Sequence, residues 1–189
     1  MITHFFKMNV CLDCKKKYHC CINPKSKGYV MVNIDEAMRL KQITGLDYDD
    51  FLTFSKLPKK LVTDSKNDII STEARFRSDM MIDGKILRLK TKNNDECIFL
   101  ENGKCSVYDI RPTICQLYPY WFEEVKGKVE LIIHQGCEYC KLIDEDHEHT
   151  KLTVKQKNDL IKTAKRVIKQ KNHYKKYIKE FVTKELIDN

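Results

Sequence analysis

Long apolar runs are missing from this sequence. Nowhere do about 18 apolar residues stand together, so no membrane-spanning helix is expected. The opening MITHFFKMNV lacks the apolar core of about 7 to 15 residues that a secretory signal needs, and the expectation is a cytoplasmic chain. Glycine and proline are scarce, at six and four residues, too few for a long flexible linker. The glycines, Gly28, Gly45, Gly84, Gly103, Gly127 and Gly136, all stand alone. That excludes the Gly-rich loops that cradle phosphates or dinucleotides. No CxxxCxxC run of the radical type occurs either, and no internal repeat or low-complexity tract is visible.

What the chain does have is enough apolar surface to fold and an excess of sulfur. Its 189 residues are 42% hydrophobic and 10% aromatic, which suits one globular domain or a domain with an appendage. Nine cysteines are many for an intracellular protein and few for a disulfide miniprotein of this length. In a reducing compartment, paired cysteines are more often metal ligands or redox groups than staples. An odd count also leaves at least one sulfur outside any full pairing, and metal is the expected use.

Charge is unevenly placed. The chain carries 35 Lys and Arg against 27 Asp and Glu. Residues 151–189 hold 12 of those bases and 4 of those acids, leaving 23 of each in residues 1–150. The whole net charge of +8 therefore belongs to the C-terminal segment. Two regions are expected: a cysteine-cluster metal-binding domain over 1–150, and a basic helical appendage over 151–189.

The expected fold class is α+β: a small metal-stapled domain of short helices and β-hairpins, with a long C-terminal amphipathic helix. YVMVN (29–33) reads as a short strand. Asn33 caps a helix through about Thr44, with Asp35 and Glu36 in its first turn, Gly45 as its stop, and Ile34, Ala37, Met38, Leu40 and Ile43 mostly on one face. LDYDDFLTF (46–54) is a second short helix, with SKLPKK behind it as a loop. Asp83-Gly84 predicts a hairpin between STEARFRSDMMI and KILRLK, and Asn102-Gly103 one between CIFLE and KCSVY. Gly127 reverses the chain between WFEEV and KVELIIH. Pro112 opens a short helix to about Leu117, capped by Asp109. From Thr153 to about Ile187 an apolar stripe at three- and four-residue spacing (Leu160, Ala164, Val167, Ile168, Tyr174, Ile178, Phe181, Leu186) predicts a long helix, with a kink or break at Asn172-His173.

A shared metal needs several sulfurs brought within about 2.3 Å of it, which chains achieve with cysteines on tight turns and hairpins. Cys11-x-x-Cys14 has the turn spacing, with Cys20 and Cys21 behind it. Cys97 and Cys105 straddle the Asn-Gly turn, Cys115 follows Pro112, and Cys137-x-x-Cys140 closes the set. The expected metal ligands are Cys11, Cys14, Cys20, Cys21, Cys97, Cys105, Cys115 and Cys137. Cys97 also reads as a core-strand residue, and Cys137 with Cys140 as a redox pair. His19 and His134 are weaker alternatives to a sulfur. Thiolate-rich centres are anionic and need donors or cations around them. Lys15, Lys16, Lys17 and Lys104 lie close in sequence. Arg111 is the expected partner of the bound cofactor, donating to sulfur or bracing Asp109, with a surface ion pair as the alternative. Tyr108, Tyr118, Tyr120 and Trp121 are expected to pack around the centre and keep water out.

These residues resemble the YkgJ-like cysteine-cluster family of zinc- or iron-chelating domains. The family's pattern is C-x-x-C-x-x-C-C, then C-x-x-L…C-x-[IV]-Y-x-x-R-P-x-x-C-R-x-[YF]-P, then a later cysteine. Cys97, Leu100, Cys105, Val107, Tyr108, Arg111, Pro112, Cys115, Tyr118 and Pro119 match the central part. Cys11, Cys14, Cys20 and Cys21 match the leading part with a widened loop, and Cys137 best matches the later cysteine. Gln116 stands where arginine is usual, and Cys140 is extra. The resemblance covers about residues 9–142. It implies a zinc- or iron-chelating role and, through its likeness to flagellin lysine N-methylases, an alternative: an S-adenosylmethionine-dependent protein lysine N-methylase or its accessory.

The expected function is a metal-binding protein holding an iron–sulfur cluster, [4Fe-4S] in type, or zinc, in a structural, redox or accessory role. The expected partner is a protein docking on the C-terminal helix. Nucleic acid is the less favoured partner and a membrane is not expected.

Overall fold

The structure, a computed structural model, describes residues 21–22, 29–56, 72–133 and 152–187. In chain order these form α1 (Ile34–Thr44), α2 (Tyr48–Phe51), β1 (Leu52–Lys56), α3 (Thr72–Met80) and β2 (Lys85–Leu89). Then come β3 (Leu100–Glu101), β4 (Lys104–Cys105), a 3-10 turn (Tyr108–Ile110), α4 (Thr113–Leu117), β5 (Tyr120–Val125) and β6 (Lys128–Ile133). The last helix, α5 (Val154–Val182), ends in a π turn (Thr183–Ile187). The result is the α+β mix expected of the sequence. No described helix is long and apolar enough to cross a membrane.

The described strands make three antiparallel pairs, β1–β2, β3–β4 and β5–β6. The β3–β4 and β5–β6 hairpins turn where Asn102-Gly103 and Gly127 placed them. Asn102 and Gly103 have φ of 48° and 72°, the double positive φ of a tight hairpin turn. Asp83 and Gly84 make the same kind of turn, at 53° and 75°, but its flanks differ from expectation. Only Ile82 and Lys85 pair across it. STEARFRSDM is the helix α3, and β2 finds its partner in β1, with Leu52 opposite Leu89 and Lys56 opposite Lys85. The turn chemistry is local and was legible; the partner strand lies about 30 residues upstream and was not.

Other expectations shift by a residue or a face. YVMVN makes one bridge, Met31 to Arg88, rather than a strand of its own, yet it lies along the free edge of β2. The Val32 N–H donates to Leu87 and the Leu89 N–H to Val30. In α1, Asn33 caps and Gly45 (φ 71°) stops the helix as expected. Ile34, Ala37 and Leu40 are buried, but Met38 and Ile43 face outward, and Glu36 takes a buried place among the apolar residues. The second helix covers only Tyr48–Phe51, because Leu52 already pairs as a strand.

The long helix is unbroken at Asn172-His173. Thr153 caps it in a reciprocal bond pair with Gln156. Leu160, Ala164, Val167, Tyr174, Ile178 and Val182 enter the same core cluster as Val32, Phe51, Ile86, Leu87 and Trp121. Each fully buried Leu or Ile there contributes on the order of 2 kcal/mol, so α5 is held along its length. The boundary expected at residue 150 lies outside the described residues.

Tyr174 locks this helix to the sheet. In a regular ladder the Leu87 N–H would return to the Val32 carbonyl, but the chain turns into α1 there. The Tyr174 hydroxyl accepts that N–H instead, at 2.9 Å. Burial pushes the phenol up from 10.0 to about 12. Tyr174→Phe leaves a buried donor unpaired and is expected to cost about 1–3 kcal/mol in denaturant unfolding at neutral pH. Below pH 10 both folded and unfolded chains hold this proton, so its contribution is fully present. Between pH 10 and about 12 the unfolded chain releases it first, so wild-type stability falls there, by up to about 3 kcal/mol from this group. The gap between wild type and Tyr174→Phe should therefore narrow over that window; a gap of constant size would refute the assignment.

Candidate metal centre

The cysteines that the structure describes are Cys21, Cys97, Cys105 and Cys115. Cys11, Cys14, Cys20, Cys137 and Cys140, and with them Lys15, Lys16, Lys17, His19 and His134, lie outside the described residues. Backbone pairing gathers three of the four. The Cys97 N–H donates to the Cys21 carbonyl at 2.7 Å, and Ile22 pairs with Glu96 beside it. One turn on, the Leu100 N–H donates to the Cys97 carbonyl at 2.9 Å, and Leu100 stands opposite Cys105 in β3–β4. Cys21 is thus tied through the main chain to the segment that carries Cys97 and Cys105. Cys97 is buried at 5% exposure, whereas Cys21 and Cys105 are half-buried. Among the described residues no three His, Cys, Asp or Glu side chains converge tightly enough to hold an ion by themselves.

Cys115 stands on α4, and α1 positions that helix. Pro112 takes the cap position just ahead of α4 rather than its first helical position, and Asp109 lies exposed in the 3-10 turn instead of capping it. The cap comes from 77 residues away: Glu36 Oε1 accepts the Thr113 N–H at 2.6 Å. The other oxygen of the same carboxylate accepts the Asn33 N–H at 3.1 Å, closing the capping box of α1. Arg39, one turn along, donates to the Ile110 and Arg111 carbonyls at 3.0 and 3.4 Å. Two charged side chains of α1 therefore clamp the Ile110–Thr113 backbone. Sequence reading saw Glu36 only as a first-turn acid; its distant partner leaves no local signal.

Around this segment the cations are arranged. Arg111 stacks on the Tyr108 ring, 4.1 Å from its centre, in place of the expected brace on Asp109. The Arg111 carbonyl also accepts from Gln116, whose side-chain oxygen in turn accepts from Arg166 of α5 at 3.0 Å. Lys92 reaches the Leu100 carbonyl, setting an ammonium beside the Cys97–Cys105 hairpin. That lysine was missed because nothing in its local sequence points at the thiols. Tyr120 and Trp121 are buried, and Trp121 stacks on Phe122 and meets Phe76 edge-on. Tyr108 and Tyr118 remain half-buried in the motif itself.

A small α+β fold that ties Cys21 to the Cys97–Cys105 hairpin, with Lys92 beside it, has the makings of a cysteine-cluster protein. The chain belongs to the CxxCxxCC family, described as a "putative zinc- or iron-chelating domain", whose model matches residues 10–141. Metal binding through such a domain is thereby supported. No solved structure matches the chain.

Glu36→Gln keeps one acceptor oxygen and turns an NH2 toward the other donor. It is expected to destabilise the protein by about 1–3 kcal/mol in urea unfolding, the cost of one unpaired buried donor. Met38→Gln, on the exposed face of the same helix, should stay within about 0.5 kcal/mol of wild type.

Proposed function

We propose that this chain is a metal-binding protein whose cysteine thiolates hold an iron–sulfur cluster of the [4Fe-4S] type. The observation that carries the reading is the bond from the Cys97 amide to the Cys21 carbonyl, which brings together thiol segments 76 residues apart. Cys11, Cys14, Cys20, Cys21, Cys97, Cys105, Cys115 and Cys137 are the pool of ligands. Thiolates suit both iron–sulfur clusters and zinc. Adjacent thiols at Cys20 and Cys21, and eight sulfurs in the ligand pool, favour a crowded, multi-metal centre over a single tetrathiolate zinc.

Such a group, when bound, supplies one-electron transfer and cross-links the chain. Cysteine metal sites contribute on the order of 10 kcal/mol to folding. That magnitude suffices to fix the leading segment onto the hairpin, so the structural role stands first. Arg111 on Tyr108 and Lys92 at Leu100 supply positive charge near an anionic centre, which lowers the cost of excluding water from it.

Anaerobically purified protein is expected to contain iron and acid-labile sulfide in equal amounts and to show broad visible absorption that bleaches on reduction. Cys105→Ser should lose most of the bound metal while the far-ultraviolet signal of α5 persists. Stoichiometric zinc without sulfide would overturn the iron assignment, and anaerobically purified protein free of any metal would overturn the whole reading.

A further inference from the structure

The folded position of α5 separates most of its cations into two sets, with Lys157 and Lys175 exposed outside both. On the flanks, acids of the domain take up charge: Lys171 meets Asp79 at 2.8 Å and Lys179 meets Asp83 at 3.1 Å. Arg166 is committed to Gln116. Directly opposite the buried stripe lies a different set. Lys155, Lys162, Lys165, Lys169 and Lys176 are all exposed and fall on one outward face at helical spacing. Among the described residues, Lys162 lies 3.8 Å from Asp159 and Lys176 sits over the Tyr177 ring, both contacts within α5 itself. With a rise of about 1.5 Å per residue the row is about 32 Å long. Since residues 1–150 are neutral, the field of the chain points outward from this face.

We infer that this face of α5 docks on the phosphate backbone of duplex nucleic acid, without reading sequence. The ring beside the row, Tyr177, is half-buried and already packed against Lys176 and His173, which disfavours the base stacking that single-stranded sites use. Its exposed apolar neighbour, Val154 at the start of the helix, is small and solitary, unlike the aromatic and Arg anchors that centre a protein–protein interface. A membrane surface would need apolar residues beside the cations to insert. Here the apolar stripe of the helix, Leu160 to Val182, is already committed to the core. A row of evenly set ammonium groups on a rigid, anchored helix fits a repeating anion. The inference is independent of the metal.

The test is fluorescence anisotropy of the full-length protein with a short labelled DNA duplex of arbitrary sequence, titrated at several salt concentrations. Binding is expected to weaken with salt with a log–log slope of about −3 to −5, at about −0.9 per neutralised phosphate. Lys155→Glu/Lys165→Glu/Lys169→Glu should bind at least about tenfold more weakly and lose about three units of that slope, with the helix intact by circular dichroism. Lys56→Glu/Lys126→Glu/Lys128→Glu, with the same change of net charge away from α5, should bind as wild type does. The inference is overturned by absent binding at low salt or by equal losses in the two triple variants. It is equally overturned if polyglutamate competes as well as unlabelled duplex, or if vesicles of anionic lipid bind the chain while duplex does not.

Discussion

One buried carboxylate organises the middle of this protein. Glu36 is 5% exposed and uses both oxygens on backbone N–H groups, one starting α1 and one starting α4. Each of those amides would otherwise be an orphan donor at a helix start. Satisfying both with a single side chain fixes the two helix ends relative to each other. That arrangement also fixes Cys115, which stands in the five-residue helix α4, too short to be stable by itself. The cysteine-bearing segment therefore inherits its position from a helix 77 residues upstream. Arg39 strengthens the same junction from the next turn, and the Gln116–Arg166 bond extends it to α5.

What could be read from the sequence follows the range of the interaction concerned. The Asn33 cap, the Gly45 stop, the Asn102-Gly103 turn and the Thr153-to-Ile187 helix rest on forces acting within a few residues, and each appears where its residues place it. Failures occur where a distant partner decides. STEARFRSDM had Asp83-Gly84 beside it and so resembled half of a hairpin, yet β1 outcompetes it for β2. Met38 and Ile43 fit the apolar period of α1, but the place facing the core went to Glu36 because two backbone donors waited there. The Cys97–Cys105 hairpin was legible in its turn; its attachment to Cys21 was not, since no local pattern encodes a bond across 76 residues.

The long helix shows how one element can serve two surfaces with separate chemistry. Its inner stripe sits among the residues of both larger strand pairs, and Tyr174 adds a directional bond to a strand amide that the sheet leaves over. A purely apolar stripe would allow the helix to slide or rotate by a residue at modest cost. The hydroxyl-to-amide bond does not, because a shift of one turn, about 5.4 Å, would leave the Leu87 donor and the phenol both unpaired. Fixing the rotation of the helix on the inside fixes which lysines face outward.

The same reasoning bears on the thiols. A metal centre draws its strength from ligands that are already close before the metal arrives, since ordering each chain segment costs about 1–2 kcal/mol per residue. Here the backbone bonds from Cys97 to Cys21 and from Leu100 to Cys97, with Cys105 in register opposite Leu100, hold one corner of the ligand pool in place through the main chain alone. Because these bonds use amides and carbonyls, they persist whatever the state of the sulfurs. Metal binding then has to order only the remaining segments onto a corner that is already built. Lys92, which reaches the Leu100 carbonyl at that corner, brings a positive charge that offsets that of bound thiolates.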